Sequence, residues 1–182
     1  MEWVPDILGD DFEACTVPAA GPDGVERTAT LVRHVPGAGS AAGAGAPGGR
    51  RPRAVLFLHG WSDYFFNEEL AEFWAGQGFA FFALDMHNHG RSLQAGGHGG
   101  YVADLDDYDA EITAALGIIA DLHTGADGPP TVALMGHSTG GLIAALWASR
   151  HPGMVSQLIL DSPWLEMHGS PAVRRGGRMD PG

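Results

Sequence analysis

Continuous apolar runs alternate along this chain with stretches in which apolar residues recur at helical spacing. The runs predict strands that are buried on both faces of a sheet, at 53–59, 79–85, 131–135 and 155–161. The helical spacing predicts helices at 67–76, 104–122 and 142–150. Strands that alternate with helices in this way imply right-handed crossovers. The expected fold class is therefore α/β, with a mostly parallel sheet and helices on both faces.

The residues before the first buried run predict an antiparallel hairpin. Segments 12–18 and 27–35 alternate apolar and polar residues, and the turn-forming segment 21–24 lies between them. Residues 1–11 have no clear period, so no regular element is predicted there. Segment 36–52 is rich in glycine and alanine and is interpreted as a flexible loop. Because the patterns on both sides of this loop fit one sheet, residues 1–182 are expected to form a single domain.

Composition and charge then limit the classes of function. The 182 residues are 45% hydrophobic, which is enough for a sizeable core. The net charge of −12 argues against binding to nucleic acid or to an anionic membrane surface, since both would repel the chain. The single cysteine, Cys15, excludes an internal disulfide. With no secretory signal and no apolar run long enough to span a membrane, the expected location is the cytoplasm.

The strongest chemical signal is the pentapeptide 136–140, Gly-His-Ser-Thr-Gly. A G-x-S-x-G string is common by chance, but this one lies between a predicted strand and a predicted helix. That context is the one a nucleophile elbow requires, in which a strained turn lifts the serine above the sheet. Side chains at Gly136 or Gly140 would collide with the crossing strand or helix. The pattern therefore predicts a reactive serine at Ser138.

Other candidate residues have simpler interpretations. Four histidines are close in sequence but lack the acidic or cysteine partners of a metal site, so neither a metal nor a cofactor is predicted: His87, His89, His98 and His137. Asp85 and Arg91 are expected to brace the turn at Gly90 through hydrogen bonds. Three aromatic residues either line an acyl pocket or pack in the core: Tyr64, Phe65 and Phe66.

Four pieces of the sequence, in this order and spacing, resemble the α/β-hydrolase fold: 58–61 (LHGW), 83–92 (ALDMHNHGRS), 136–141 (GHSTGG) and 160–164 (LDSPW). More narrowly, they resemble its serine aminopeptidase-like branch, which includes monoacylglycerol lipases and lysophospholipases. The resemblance extends from about Phe12 to about Trp164. It implies a serine hydrolase that acts on a carboxylic ester, a lipid or a peptide-type substrate.

The resemblance also implies roles for individual residues. Ser138 would be the nucleophile, and the backbone N–H groups of Trp61 and Thr139 would form the oxyanion hole. Four residues are expected to shape or line the binding region around them: His59, Gly60, Tyr64 and His137. Of these, His59 and Gly60 would shape the oxyanion loop, and His137 would pack against or orient the elbow.

The proton-handling partners of Ser138 are harder to place. A serine nucleophile needs an imidazole and an acid, and in this fold they follow in the order Ser, acid, His. The later histidines are His151, at the end of a predicted helix, and His168, where the family begins its lid. Asp161 is retained as a fallback acid, because an acid at the end of this strand occurs elsewhere in the superfamily. Two further acids, Glu166 and Asp180, fit no better.

The family places its acid and histidine after two further strands, which have no counterpart in the pattern of this chain. The sequence is therefore expected to be C-terminally truncated, without the last two strands and the lid and with an irregular tail at 169–182. The apolar segment 155–160 would then be an exposed strand edge that favours self-association. Two hypotheses remain: a serine hydrolase, and a non-catalytic or defective fragment or binding scaffold.

Overall fold

The computed structural model of the chain describes residues 1–21, 24–37, 51–95, 98–124 and 128–165. Most of the predicted loop at 36–52 and the whole tail at 169–182 lie outside these residues. His168, Glu166 and Asp180 lie outside them too. The interpretations of these segments, and of the chain as one domain, therefore stay predictions.

Seven strands and three α-helices occur within the described residues. The strands are β1 (Val4–Asp6), β2 (Gly9–Ala20), β3 (Glu26–His34), β4 (Arg53–Leu58), β5 (Ala80–Asp85), β6 (Thr131–His137) and β7 (Gln157–Asp161). The helices are α1 (Glu68–Gly76), α2 (Asp109–His123) and α3 (Thr139–Arg150). Short 3₁₀ turns occur at Gly90–Ser92 and Leu105–Tyr108. None of the helices in this described part is both long and apolar enough to cross a lipid bilayer.

All seven strands belong to one sheet, in the order β1-β2-β3-β5-β4-β6-β7. The strands β5, β4, β6 and β7 are parallel, and they are joined by the crossover helices α1, α2 and α3. The strands β1, β2 and β3 are antiparallel, and β3 joins them to β5. The predicted α/β class with an N-terminal antiparallel hairpin is confirmed.

Several bounds differ from the sequence-based prediction. The helix predicted at 104–122 is Asp109–His123, preceded by a 3₁₀ turn, and the strand predicted at 155–161 begins at Gln157. The N-terminal residues predicted to lack regular structure contain β1 and the start of β2. A strand of three residues is too short to show alternation, and it forms because its backbone pairs with β2 between Val4 and Ala14. Helix α3 begins at Thr139 rather than at residue 142, so Gly140 and Gly141 lie inside its first turn.

The core is divided by the sheet into two layers. On one face, Ile112 and Ile119 of α2 and Trp147 of α3 pack with Leu56 of the central strand β4. On the other face, α1 packs through Ala71 and covers a cluster of phenylalanines. The two adjacent strands β4 and β5 are each buried on both faces, which explains their continuous apolar runs in the sequence. In such a sheet, the loops after the carboxyl ends of the parallel strands form the usual binding region.

Candidate active site

Ser138 occupies a strained turn between β6 and α3. Its φ and ψ are 53° and −118°, a conformation that costs a non-glycine residue about 1–3 kcal/mol. Its N–H donates to the Asp161 carbonyl at 3.0 Å, and its carbonyl accepts from the N–H groups of Gly141 at 3.0 Å and Trp164 at 2.9 Å. The end of β7 and the segment after it therefore hold this turn in place through backbone hydrogen bonds.

The glycines on either side of Ser138 are required by space. An ideal Cβ at Gly136 would lie 2.3 Å from the Gly140 carbonyl oxygen. A Cβ at Gly140 would lie 2.3 Å from the carbonyl oxygen of His59. These contacts are with backbone atoms, which cannot move away as a flexible side chain would. The turn therefore needs both glycines for the steric reason expected from the sequence.

An open cavity of about 480 Å³ lies beside this turn. It is lined by Gly60, Trp61, Ser62, Asp63, His137, Ser138, Thr139 and Trp164. The structure thus brings together five of the residues singled out in the sequence: Gly60, Trp61, His137, Ser138 and Thr139. Neither His59 nor Tyr64 is among the lining residues.

The loop that follows β4 passes close to Ser138. An ideal Cβ on Gly60 would lie 3.3 Å from the Cβ of Ser138. The backbone N–H of Trp61 points into the same region and donates to the Thr139 hydroxyl at 3.1 Å. The indole N–H of Trp61 donates to the Gly100 carbonyl at 3.2 Å. The backbone and the side chain of Trp61 therefore bind this loop to the first turn of α3 and to Gly100, respectively.

His59 acts on this loop from inside the protein. Its side chain is buried, its Nδ1 donates to the Gly60 carbonyl at 2.7 Å, and its Nε2 accepts the N–H of Met86 at 3.1 Å. Both ring nitrogens can play these roles only when the imidazole is neutral. Burial lowers the pKa of His59, and the nearby imidazole of His89 lowers it further. His59 therefore shapes the loop and does not reach the cavity.

No residue of the aromatic segment 64–66 lines the cavity, and only Phe65 packs in the core. Phe65 is buried in the core, and its N–H donates to Asp85 Oδ1 at 2.8 Å. Tyr64 is partly exposed, and its ring lies 5.8 Å from the Arg91 guanidinium. Of the two interpretations left open by the sequence, packing is the one that describes Phe65.

The expected brace at the Gly90 turn is present. Arg91 donates to Asp85 Oδ2 from its backbone N–H at 3.1 Å and from its side-chain Nη1 at 2.8 Å. Arg91 also donates to both carboxylate oxygens of Asp6, at 2.6 and 2.7 Å. Asp6 was not singled out in the sequence, and its pairing ties β1 to the turn after β5.

His137 and Asp161 form a pair at the rim of the cavity. They are the last residues of β6 and β7, they are register partners, and His137 Nδ1 lies 3.0 Å from Asp161 Oδ2. Both side chains are substantially exposed, at 42% and 55%. The sequence analysis named each residue but not the pair. The signal was available, because the last residues of neighbouring parallel strands meet at one edge of the sheet.

Three further histidines are engaged away from the cavity: His87, His89 and His151. His151 caps α3 and lies 3.1 Å from Asp109 Oδ2 of α2, away from the cavity, as expected. His87 pairs with the buried Glu111, and His89 Nδ1 contacts the His87 carbonyl at 2.9 Å. Within the described residues, no three His, Cys, Asp or Glu side chains are grouped so that they could hold a metal ion.

Three cavity residues were missed by the sequence analysis: Ser62, Asp63 and Trp164. Trp164 belongs to the quoted segment 160–164, but its place at the cavity depends on the turn after β7. Its N–H bond to the Ser138 carbonyl sets that turn. Ser62 has a φ of 53°, so the backbone turns sharply immediately after Trp61. No pattern of residue types identifies these positions in advance.

Solved structures with a similar fold include a probable hydrolytic enzyme of Pseudomonas aeruginosa and a carboxyl esterase of Bacillus coagulans. The first aligns with a TM-score of 0.59 at 20% identity, over 82% of this chain and 41% of its own. The second aligns with a TM-score of 0.57 at 20% identity, over 81% of this chain and 43% of its own. At this identity the likeness shows the α/β-hydrolase fold alone.

Sequence relatives are closer. A monoacylglycerol lipase of Mycolicibacterium smegmatis is 31% identical over 121 residues, which are 64% of this chain and 40% of the relative. A non-heme haloperoxidase of Rhodococcus erythropolis is 37% identical over 113 residues, 59% of this chain and 36% of the relative. A phospholipase of Bacillus subtilis is 34% identical over 119 residues, 63% of this chain and 42% of the relative. The chain thus spans about two fifths of the length of these relatives.

The family assignment rests on a longer match than any of these relatives supplies. The sequence profile of the hydrolase family described as serine aminopeptidase, S33, matches residues 49–179, which is more than half of the chain. That span includes the loop after β4, the turn at Ser138 and the strand β7. The chain therefore belongs to the serine aminopeptidase S33 family of α/β-hydrolases.

Proposed function

We propose that this chain carries the nucleophile and the oxyanion-binding groups of a serine hydrolase, with Ser138 on a nucleophile elbow. One observation carries the proposal. Ser138 is held at a strained φ of 53°, at the N-terminus of α3, beside a cavity that Trp61 and Thr139 also line. Strain of this kind persists only where surrounding bonds enforce it, and it is concentrated at functional sites. Its role here is to hold the serine hydroxyl at the cavity.

The reaction that fits this arrangement is acyl transfer to water. The Oγ of Ser138 bonds to the carbonyl carbon of an ester while its proton passes to an imidazole. The carbonyl π electrons move onto the oxygen, which becomes an oxyanion. When the oxyanion collapses, the ester C–O bond breaks and the alcohol leaves with the proton. Water then attacks the acyl-enzyme in the same way, which releases the acid and restores the hydroxyl of Ser138.

The site offers donors for the oxyanion from two elements. As the first residue of α3, Thr139 has a backbone N–H with no acceptor inside the helix, and the helix dipole favours negative charge there. The loop at Gly60 and Trp61 also lines the cavity and passes close to Ser138. Donors that are already in position stabilise the charge that develops in the transition state, and the loss of one typically costs about 10²–10³ in rate.

The proposed substrates are carboxylic esters with an apolar acyl group. Trp61 and Trp164 line the cavity, and both side chains are exposed, at 69% and 44%, so they present apolar surface to a ligand. A monoacylglycerol lipase and a phospholipase are among the relatives, which supports a lipid ester over a peptide.

A second candidate function is a chain that binds or becomes acylated but does not turn over. Among the described residues, His137 is the one histidine at the cavity, and Asp161 is bound to it. Asp161 is proposed as the catalytic acid only if no other acid of the protein takes that role. Its partner His137 directly precedes the nucleophile in sequence, a poor position for a general base. This observation favours binding of the ester without efficient activation of Ser138 or of the hydrolytic water.

Hydrolysis of a series of p-nitrophenyl esters tests both candidates. A serine hydrolase releases p-nitrophenol over many turnovers, and Ser138→Ala abolishes the release. A chain that is only acylated releases at most one equivalent. Ser149→Ala is the matched control, because Ser149 is an exposed serine at the far end of the same helix. Equal rates for Ser138→Ala and the unmodified chain would refute the proposal.

Two further parts of the proposal concern the location of the protein in the cell and its self-association. The cytoplasm is proposed as the location, as expected from the sequence. Self-association through the edge of β7 is proposed because Leu158 and Leu160 of this strand are exposed, at 40% and 37%. Nucleic acid is not proposed as a partner, given the net charge of −12.

A further inference from the structure

The side chain of Thr139 accepts a hydrogen bond from one of the two backbone donors assigned to the oxyanion, the N–H of Trp61. The Trp61 N–H, expected from the sequence to face the oxyanion directly, donates to Thr139 Oγ1 at 3.1 Å. Thr139 is half-buried and lines the cavity beside Ser138. A backbone N–H has one hydrogen, so in this arrangement the Trp61 group is already directed at the threonine hydroxyl.

The chemistry of a hydroxyl suits it to a relay. A threonine hydroxyl has two lone pairs and one donor hydrogen. When one lone pair accepts the Trp61 N–H, the hydroxyl hydrogen stays available for another acceptor. A hydroxyl that accepts a hydrogen bond also becomes a stronger donor, because hydrogen bonds in a chain polarise one another. Thr139 can thus offer two donors at one position, its backbone N–H and its polarised O–H.

We propose that the Thr139 hydroxyl donates directly to the oxyanion, and that the Trp61 N–H acts through this hydroxyl and not on the oxyanion itself. The proposal rests on the proposed serine hydrolase function and changes the role of two residues within it. Thr139 becomes a catalytic residue through its side chain as well as its backbone. Trp61 becomes a positioning residue, which orients and polarises the Thr139 hydroxyl.

Three substitutions at one position separate the relay from direct donation by Trp61. Thr139→Val keeps the shape but has neither a donor nor an acceptor, Thr139→Ser keeps the hydroxyl, and Thr139→Ala opens the Trp61 N–H to the cavity. The rate constant for labelling of Ser138 by a fluorophosphonate probe is measured for each. The relay predicts that Thr139→Val and Thr139→Ala label about 10²-fold more slowly, with Thr139→Ser close to the unmodified chain.

A second readout follows the Trp61 amide itself, by hydrogen exchange in NMR spectra of the full chain. The relay predicts faster exchange of this amide in Thr139→Val and protection in Thr139→Ser. Thermal unfolding of each variant checks that it is folded. If Thr139→Val does not fold, Thr139→Ala supplies the same comparison of rates.

The possible outcomes separate this inference from the function on which it rests. Labelling of Thr139→Val or Thr139→Ala as fast as the unmodified chain, or faster, overturns the relay alone, since the Trp61 N–H then acts directly. An unmodified chain that is not labelled at Ser138 refutes the proposed function and the relay with it. Slow labelling of both variants, with rescue by Thr139→Ser, supports the relay.

Discussion

Arg91 and Asp6 are 85 positions apart in the sequence and form a two-point ion pair. Arg91 Nε lies 2.6 Å from Asp6 Oδ2, and Arg91 Nη2 lies 2.7 Å from Asp6 Oδ1. The remaining nitrogen, Nη1, donates to Asp85 Oδ2 at 2.8 Å and to the Phe65 carbonyl at 2.9 Å. One guanidinium therefore joins the N-terminal strand, the end of β5 and the segment that follows the loop after β4.

The Arg91 network predicts a large loss of stability on substitution. Arg91→Met leaves the carboxylates of Asp6 and Asp85, which are 3% and 0% exposed, without their cation. Removing one partner of a buried ion pair typically costs about 3–5 kcal/mol in the free energy of unfolding. Glu13→Gln is the control, because its pair with Arg33 is more exposed, and it should cost at most about 1 kcal/mol. Urea unfolding measures both variants. Equal losses of unfolding free energy in Arg91→Met and Glu13→Gln would contradict the assignment of Arg91 to a buried ion-pair network.

Two glycine substitutions should have opposite effects. Gly140→Ala places a Cβ 2.3 Å from the His59 carbonyl oxygen and 2.4 Å from that of Leu58, so the end of β4 and α3 must separate. We expect it to lower the free energy of unfolding by about 2 kcal/mol or more. Gly117→Ala, in α2, meets no atom within 4 Å and should raise stability by about 0.5–1 kcal/mol. Thermal unfolding of both variants measures the difference, and a stable Gly140→Ala would contradict the packing described.

Stability should fall as the pH is lowered from about 7 to 5. Burial lowers the pKa of His59, His34 and His123 below the usual value of 6.5. As the pH falls below 6.5, each of these imidazoles takes up a proton in the unfolded chain before it does so in the folded one. Each can therefore lower the free energy of unfolding by up to about 1.4 kcal/mol per pH unit in this window.

The carboxyls with lowered pKa values, Asp6 and Asp109, lose their contribution only below their usual value of 3.8, outside the same window. Urea unfolding at pH 5, 6 and 7 measures the slope. His59→Gln removes one of the three imidazoles and should flatten it. A free energy of unfolding that is constant or rises towards pH 5 would show that these histidines are not buried as neutral groups.

The outer edge of β7 should mediate self-association. Among the described residues β7 pairs only with β6, and its exposed leucines are Leu158 and Leu160. A charge on an edge strand disfavours pairing with a second copy. Leu160→Lys should therefore raise the monomeric fraction measured by light scattering after size-exclusion chromatography. Leu122→Lys changes a leucine of similar exposure on α2 and should leave that fraction unchanged. A chain that is monomeric without substitution would refute the proposal.

The sequence predicts best those parts of the fold in which burial determines the pattern of apolar residues. β4 and β5 are covered on both faces, so their residues are continuously apolar and their bounds are predicted to within one residue. β1 is different, because its three residues are held by backbone pairing with β2 and show no alternation. The bond between Asp6 and Arg91 depends on that pairing, so it could not be predicted either.

The candidate site also contains features that the sequence predicts and features that it does not. The glycines of segment 136–140 are dictated by backbone contacts, and such contacts leave a recognisable motif. The bond from Trp61 to the Thr139 hydroxyl depends on a side-chain rotamer, which residue types do not encode. The pair of His137 with Asp161 is intermediate, since strand order and register predict it once both strands are assigned.

Covalent labelling of Ser138 tests the central claim most directly. The chain is treated with a fluorophosphonate, digested and analysed by mass spectrometry, with Ser138→Ala and Ser149→Ala treated in parallel. The account predicts one phosphonate adduct, on the peptide that contains Ser138, in the unmodified chain and in Ser149→Ala, and none in Ser138→Ala. An unmodified chain without an adduct, or an adduct that persists in Ser138→Ala, would contradict it.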